Sequence, residues 1–228
     1  VTDPIFSPDS KKFAYIVKYG NITHGRPTEI QTFIVINGQE IIRDDYAVRN
    51  VIFSVDSNKF AYSRETSYVI NGKQGKDYFG VDEGIFSPDG ERFAYLSANP
   101  SNNNASNKKL RAYVVVDEKE SKEYDKIINY PIFSPDSKQF VYIAERDGKT
   151  YLVKNDQEIK IDMHESMHPR LPVFVFSPDS KRLAYTLDSR LFVLDDKKSE
   201  KFDRVSSLKF SYDSQQFAYV ASKDSDLF

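Results

Sequence analysis

Short apolar runs, broken by clusters of Ser, Pro, Asp, Asn and Gly, recur along the whole 228-residue chain. One string carries the rhythm. It reads FSPDSKKFAY from Phe6, FSVDSNKFAY from Phe53 and FSPDGERFAY from Phe86, then FSPDSKQFVY from Phe133, FSPDSKRLAY from Phe176 and FSYDSQQFAY from Phe210. In each copy the segment ending in the first Phe reads as a strand, A. The following KFAYIV or RFAYLS reads as a second, B, rich in β-favouring aromatic and aliphatic residues. Ser-Pro-Asp-Ser or Ser-Pro-Asp-Gly between them is turn chemistry: Pro presets φ near about −65° and Asp can bond the backbone ahead. The repeated string is therefore a β-hairpin.

A third strand, C, follows in TFIVI, SYVI, AYVVV, TYLV and LFVL, and after it comes a two-residue turn signal. Asn37-Gly38 and Asn71-Gly72 suit the left-handed dihedrals of a type I′ turn, and Asp117-Glu118, Asn155-Asp156 and Asp195-Asp196 are weaker versions of it. A more polar fourth strand, D, is expected to carry Tyr46, Tyr78, Tyr124 and Phe202 along an outer edge that meets water. No stretch shows 3.6-residue apolar spacing, so helix content should be very low. The B strands lack clean in–out alternation, as in a sheet covered on both faces. Ala14, Ala61, Ala94, Ala184 and Ala218, with Val141 in the fourth copy, mark where neighbouring sheets should come closest. Opening Phe residues 33 to 47 positions apart match the length of one four-stranded propeller blade. Six copies predict an all-β, six-bladed β-propeller of four-stranded antiparallel blades, forming one domain over 1–228. Its last blade is incomplete, stopping in its third strand at SDLF. An ordinary β-sandwich is the alternative architecture.

These strings resemble the WD-repeat-like PD propeller repeat, written with Trp or Phe, then Ser-Pro-Asp-Gly, a Lys and an aliphatic–Ala–Tyr strand. Phe6-Ser7-Pro8-Asp9, Phe86-Ser87-Pro88-Asp89-Gly90, Phe133-Ser134-Pro135-Asp136 and Phe176-Ser177-Pro178-Asp179 carry the resemblance. Val55 and Tyr212 replace the Pro in copies two and six. Such repeats occur in TolB-type periplasmic proteins and in the propellers of prolyl oligopeptidase-type peptidases. The resemblance implies an interaction module, outside the cytoplasm, rather than a particular reaction.

Composition narrows the partners. With 32 basic and 34 acidic side chains the formal charge is −2, spread without blocks, which argues against a nucleic-acid partner. No apolar run approaches the ~20 residues of a membrane span, so no membrane insertion is expected. The absence of cysteine removes disulfides and thiolate chemistry but leaves the compartment open. Val1 with no leader after it reads as the start of a mature or trimmed chain.

Three features could carry chemistry. HESMH at 164–168 matches the H-E-x-x-H pattern in which two His one helical turn apart bind zinc. That motif needs a continuous helix, yet Pro169 follows directly and the flanks EIKID and PVFVF are strands. It reads as a polar connection between blades, with no metal site expected. Asp9, Asp56, Asp89, Asp136, Asp179 and Asp213 fall one per copy in equivalent turns, too far apart to share a proton or cation. Turn stabilisation is the expected role. The sequons at Asn21 and Asn104 lie in expected loops.

The copies differ most in their connections. Copies one and three place their excess between strands B and C, as KYGNITHGRPTE at 18–29 and NPSNNNASNKKL at 99–110. In a meander, B–C and D–A connections leave on one face, and A–B and C–D turns on the other. The irregular segments therefore share a face with all three His. Tyr19, His24, Arg26, His164, His168 and Arg170 are the candidate binding residues for a protein partner or small-molecule ligand. No catalytic residue and no cofactor is assigned. The reading is a non-catalytic scaffold; its rival is a propeller hydrolase or lyase, or the gating propeller of a larger peptidase.

Overall fold

The computed structural model describes residues 1–23, 26–44, 48–100, 110–161, 173–188 and 190–223. Side chains are described except those of residues 19, 21–30, 43, 44 and 188. Every element among them is a strand. The chain divides into two compact units, Val1–Glu123 and Tyr124–Phe228.

The first unit holds three four-stranded antiparallel sheets, each a meander in chain order. The first comprises Ile5–Phe6, Phe13–Thr23, Arg26–Ile36 and Gln39–Asp44. The second comprises Arg49–Phe53, Phe60–Ser63, Tyr68–Ile70 and Lys73–Gln74. The third comprises Gly80–Phe86, Phe93–Pro100, Leu110–Val116 and Lys119–Glu120. In the second unit a fourth sheet holds Lys126–Ile127, Ile132–Phe133, Phe140–Arg146, Lys149–Lys154 and Gln157–Ile161. A fifth holds Phe174–Phe176, Leu183–Asp188, Leu191–Leu194 and Lys197–Lys198. Arg204–Phe210 and Phe217–Ser222 pair as a sixth.

Register follows from the turns. In each copy the Phe before the Ser-x-Asp turn pairs with the residue that opens strand B: Phe6 with Phe13, Phe86 with Phe93, Phe176 with Leu183. At the C–D turns all ten central residues have positive φ, from Asn37 (51°) and Gly38 (77°) to Asp195 (49°) and Asp196 (65°), as type I′ requires. The Asn or Asp at the first position does more than tolerate that conformation. Its side-chain oxygen accepts the N–H that opens strand B: Asn37 from Phe13 at 3.0 Å, Asn71 from Phe60 at 3.1 Å, Asn155 from Phe140 at 2.9 Å. In the fourth sheet strand A is interrupted, and the buried Asn129 fills the gap by accepting the Ile143 N–H at 2.7 Å.

Within each unit the sheets pack face to face, and strand B decides how. Its alternate residues point to opposite faces. Phe and Tyr lie on one side, Ala and an aliphatic residue on the other. Ala14, Ile16 and Ile34 of the first sheet cluster with Val51, Tyr62 and Val69 of the second. Ala61 and Tyr68 cluster with Phe86, Phe93 and Tyr95 of the third. In the second unit Val141, Ile143 and Leu152 meet Phe176, Leu183 and Tyr185, and Ala184 and Phe192 meet Phe210 with Phe217 packed alongside. FVYIA in the fourth sheet is buried at every position, so it shows no polar alternation.

Two expectations change. The D strands of the second and third sheets are short, and Tyr78 and Tyr124 lie beyond them, buried rather than on a wet edge. Tyr78 stands edge-on to Tyr95, and Tyr124 to Tyr142, so these rings fill the core beneath the outer strand. Phe202 is half-buried and likewise follows its strand; Tyr46 lies outside the described residues. The other correction concerns the first insertion. Residues 18–23 and 26–29 are not an irregular loop but continue the B–C ladder, pairing Tyr19 with Gln31, Asn21 with Thr28 and Thr23 with Arg26 around one bulge. Alternation of β-branched and polar residues suffices to extend a ladder once the hairpin is nucleated.

The small residue in strand B is the most sensitive packing position. Ala61→Leu or Ala184→Leu, both fully buried, should each destabilise by about 1–3 kcal/mol through overpacking. Ala218→Leu, at the equivalent but exposed place in the sixth sheet, should leave the urea midpoint unchanged in dilute protein.

Candidate functional site

The two ends of the sheets differ in chemistry. At one end sit the Ser-x-Asp turns. Each closes with a backbone bond, Ser137 N–H to the Ser134 carbonyl at 2.8 Å, followed by a left-handed residue, Ser137 at φ 62°. The buried Ser134 hydroxyl donates to Asp136 Oδ1 at 2.6 Å and accepts the Gln139 N–H at 2.9 Å. The Lys138 N–H donates to the same carboxylate oxygen at 3.2 Å. All six candidate aspartates hold this place, with Ser7, Ser54, Ser87, Ser177 and Ser211 as the hydroxyl donors to Asp9, Asp56, Asp89, Asp179 and Asp213. Val55 and Tyr212, which replace Pro, are exposed, and their turns keep the same backbone bonds because the Ser–Asp pair supplies the constraint. Arg92 and Arg182 reach from this turn to Asp117 and Asp195 of the C–D turn at 2.8 and 2.7 Å. This end is occupied by its own bonding.

The same turns also join sheet to sheet, which the sequence reading missed. The Asp9 N–H donates to Ser57 Oγ at 3.1 Å, Asp136 to Ser180 at 2.9 Å and Asp179 to Ser214 at 3.0 Å. The signal was the fourth turn residue, Ser in five copies. Gly90 takes that place in the third, at φ 73°, and a Cβ there would lie 3.0 Å from Asp56 Oδ1 and 3.2 Å from Ser54 Cβ.

The opposite end carries the B–C connections. In the fourth sheet this is a two-residue turn, Asp147-Gly148, with both φ positive. Beside it Arg146 makes a two-pronged pair with Glu158 at 2.7 and 3.0 Å, and the Tyr124 hydroxyl donates to Glu158 at 2.8 Å. The guanidinium also lies over the Tyr124 and Tyr151 rings. Hydrogen bonding to Glu158 raises the Arg146 pKa, so the pair stays charged. Lys76 and Glu120 pair at 2.6 Å near the buried Tyr78, whose hydroxyl is pushed up chiefly by desolvation. These are satisfied structural groups rather than poised acids or bases.

The first sheet departs from this economy. Its B and C strands run 11 residues each, against 4 and 3 in the second sheet. At ~3.3 Å per residue the hairpin reaches roughly 20 Å further than its neighbour. Tyr19 and Arg26 lie on this hairpin, placed by their backbones. His24 lies outside the described residues, as do His164, His168 and Arg170. Of the six candidate binding residues, then, the structure brings two onto one element. The third-sheet insertion leaves strand pairs Asn99–Arg111 and Pro100–Leu110, and 101–109 lie outside the described residues. Strands flank HESMH, ending at Ile161 and resuming at Phe174, as the sequence indicated. Among the described residues no three His, Asp or Glu side chains gather as a metal site would need.

An apolar groove of about 370 Å³ opens on the first sheet, lined by Val1, Thr2, Pro4, Phe6, Phe13 and Tyr15. Sequence reasoning did not single it out, because the same residue types lie buried in the other copies.

An acylaminoacyl peptidase of Pyrococcus horikoshii matches with a TM-score of 0.51 at 14% identity, over 92% of this chain and 41% of that one. An oligogalacturonate lyase in complex with manganese matches at 0.47 and 12%, over 81% and 61%. A protein described as TolB from Agrobacterium tumefaciens matches at 0.42 and 13%, over 85% and 76%. The chain thus spans less than half of the peptidase and about three fifths of the lyase. At such identities the likeness is one of fold, and the peptidase carries it: the chain is an all-β, propeller-type structure. No protein-family model matches the chain, and neither does any curated protein.

Serine hydroxyls, first of all, hold the Asp9, Asp56, Asp136, Asp179 and Asp213 carboxyls below their usual 3.8. A carboxyl depressed in the folded state stabilises fully above its unfolded value, and that contribution disappears as pH falls through the folded one. The denaturation midpoint should therefore hold steady from neutral pH down to about 5 and fall steeply below about 4. Asp136→Asn should lower the midpoint at neutral pH and flatten the acid limb; an unchanged limb would remove these turns as its source.

Proposed function

We infer that the chain is a binding module without catalysis of its own, in which stiffly packed sheets present the B–C hairpin end to a protein partner or small-molecule ligand. The observation that carries this reading is the 11-residue hairpin of the first sheet, long beyond anything its own sheet packing requires. A two-residue turn completes the same connection in the fourth sheet, so the extra length serves no shared structural need. The turn aspartates, committed to serine hydroxyls and backbone N–H groups, are not spare acids for catalysis. Loops and hairpins that vary on a rigid scaffold are where recognition concentrates.

The peptidase likeness favours a second reading, a gating propeller within a larger peptidase, since this chain spans 41% of that protein. A hydrolase domain encoded in the same reading frame would favour the gate.

The test compares proteins captured from native extract by the chain and by two variants, His24→Ala with Arg26→Ala, and deletion of 101–109, which spares the paired residues 99, 100 and 110. Capture of a partner by the wild type should drop at least about tenfold with one variant while the denaturation midpoint stays put, the size expected when a binding hot spot is lost. Unaltered capture by both would sink the assignment of this end.

A further inference from the structure

The contact between the second and third sheets is made without the hydroxyl latch. Gly90 stands where the other five copies carry Ser, so no side-chain oxygen is there to accept the Asp56 N–H. The aromatic packing is undiminished, with Tyr68, Phe86, Phe93 and Tyr95 all buried in it. That packing discriminates poorly between neighbours, because nearly every copy repeats the same Phe–Phe–Tyr face.

Three ion pairs of one polarity cross this contact. Lys59 Nζ lies 2.6 Å from Glu91, Lys73 Nζ 2.8 Å from Glu118 and Lys76 Nζ 2.6 Å from Glu120. All three lysines belong to the second sheet, where Lys59 ends the A–B turn, Lys73 lies in the D strand and Lys76 follows it. All three glutamates belong to the third, Glu91 in the A–B turn, Glu118 in the C–D turn and Glu120 in the D strand. Lys76 is the first cause holding the Glu120 carboxyl below its usual value. Glu91 is peculiar to its copy: the same place holds Lys11, Asn58, Lys138, Lys181 and Gln215 in the others. Set against the fourth or fifth copy, Lys59 would meet Lys138 or Lys181, like charge against like.

We propose that charge, in place of the hydroxyl latch, selects the third sheet as the neighbour of the second and makes their contact a salt-sensitive joint. Each pair reaches solvent and alone is worth no more than about fivefold in an opening constant. Three of one polarity add, and a wrong neighbour is penalised by repulsion as well as by the lost attraction. The hydroxyl latches elsewhere join a neutral N–H to a neutral Oγ and give salt nothing to screen.

Amide hydrogen exchange of the intact chain, read by mass spectrometry, tests this. Between about 0.01 and about 1 M NaCl the screening length shrinks from about 30 to about 3 Å. Protection of Phe60–Ser63 and Phe93–Pro100 should fall at least about threefold over that range. Leu183–Asp188, in the sheet latched by hydroxyls on both sides, should fall less. At the lower salt Lys59→Glu and Glu91→Lys should each reduce protection at the joint by a similar factor, and the two together should restore it. Lys59→Gln, Lys73→Gln and Lys76→Gln in one chain set no like charges together and should abolish the loss on adding salt, which keeps the test open should a reversal disturb the fold. A fall no larger than that of Leu183–Asp188, a double variant no better protected than the singles, or a salt-induced loss that survives the triple variant overturns the proposal.

Discussion

Everything in this structure leans on the packing of one sheet's Phe–Tyr face against the preceding sheet's Ala–aliphatic face. Within a strand, neighbouring residues point to opposite sides, so a string such as Phe-Ala-Tyr-Ile builds both halves of that contact at once. Each buried large side chain contributes about 1.5–3 kcal/mol. The small strand-B residue, Ala14, Val141 or Ala184, keeps the backbones close enough for the Asp N–H of one turn to reach the serine hydroxyl of the next. Apolar burial and a polar latch thus occur side by side between the first and second, fourth and fifth, and fifth and sixth sheets, and a chain without cysteine needs no covalent staple to hold them.

That arrangement uses the two ends of the sheets unequally. The turn end is saturated: serine hydroxyls, turn carboxylates, Asn and Asp side chains and two arginines all satisfy one another. A change there costs stability before it alters recognition. The hairpin end repeats no such bonding from sheet to sheet, and its connection can be two residues long or extend as a ladder of 11-residue strands. Diversity accumulates where the fold tolerates it, which is the physical reason for seeking recognition there.

Turn chemistry was legible because it is local. Asn-Gly, Asn-Asp, Asp-Glu and Asp-Asp all adopted the left-handed pair that their positions suggested, and the side-chain cap explains why even Asp-Glu succeeds: Asp117 accepts the Phe93 N–H. The polar stretch around Tyr78 and Tyr124 misled, since polar neighbours suggested a wet edge while the rings themselves turn inward beneath it. Residues 18–23 and 26–29 misled in the other direction. Gly, Asn and Pro looked like loop, yet cross-strand pairing with one bulge absorbed them into strands. In both cases a neighbour distant in sequence outweighed the local signal.

By itself the sequence determined the repeat, the strand order within each sheet, the type of nearly every tight turn and the all-β class, because each depends on residues within a few positions of one another. Only tertiary structure decided which serine latches to which aspartate, that Arg146 is spent on Glu158, and that Phe6 and Ala218 are exposed while their counterparts are buried. Those outcomes depend on whether a second sheet lies against the first. Identical strings meet different fates because burial belongs to the pair of surfaces and not to the residue.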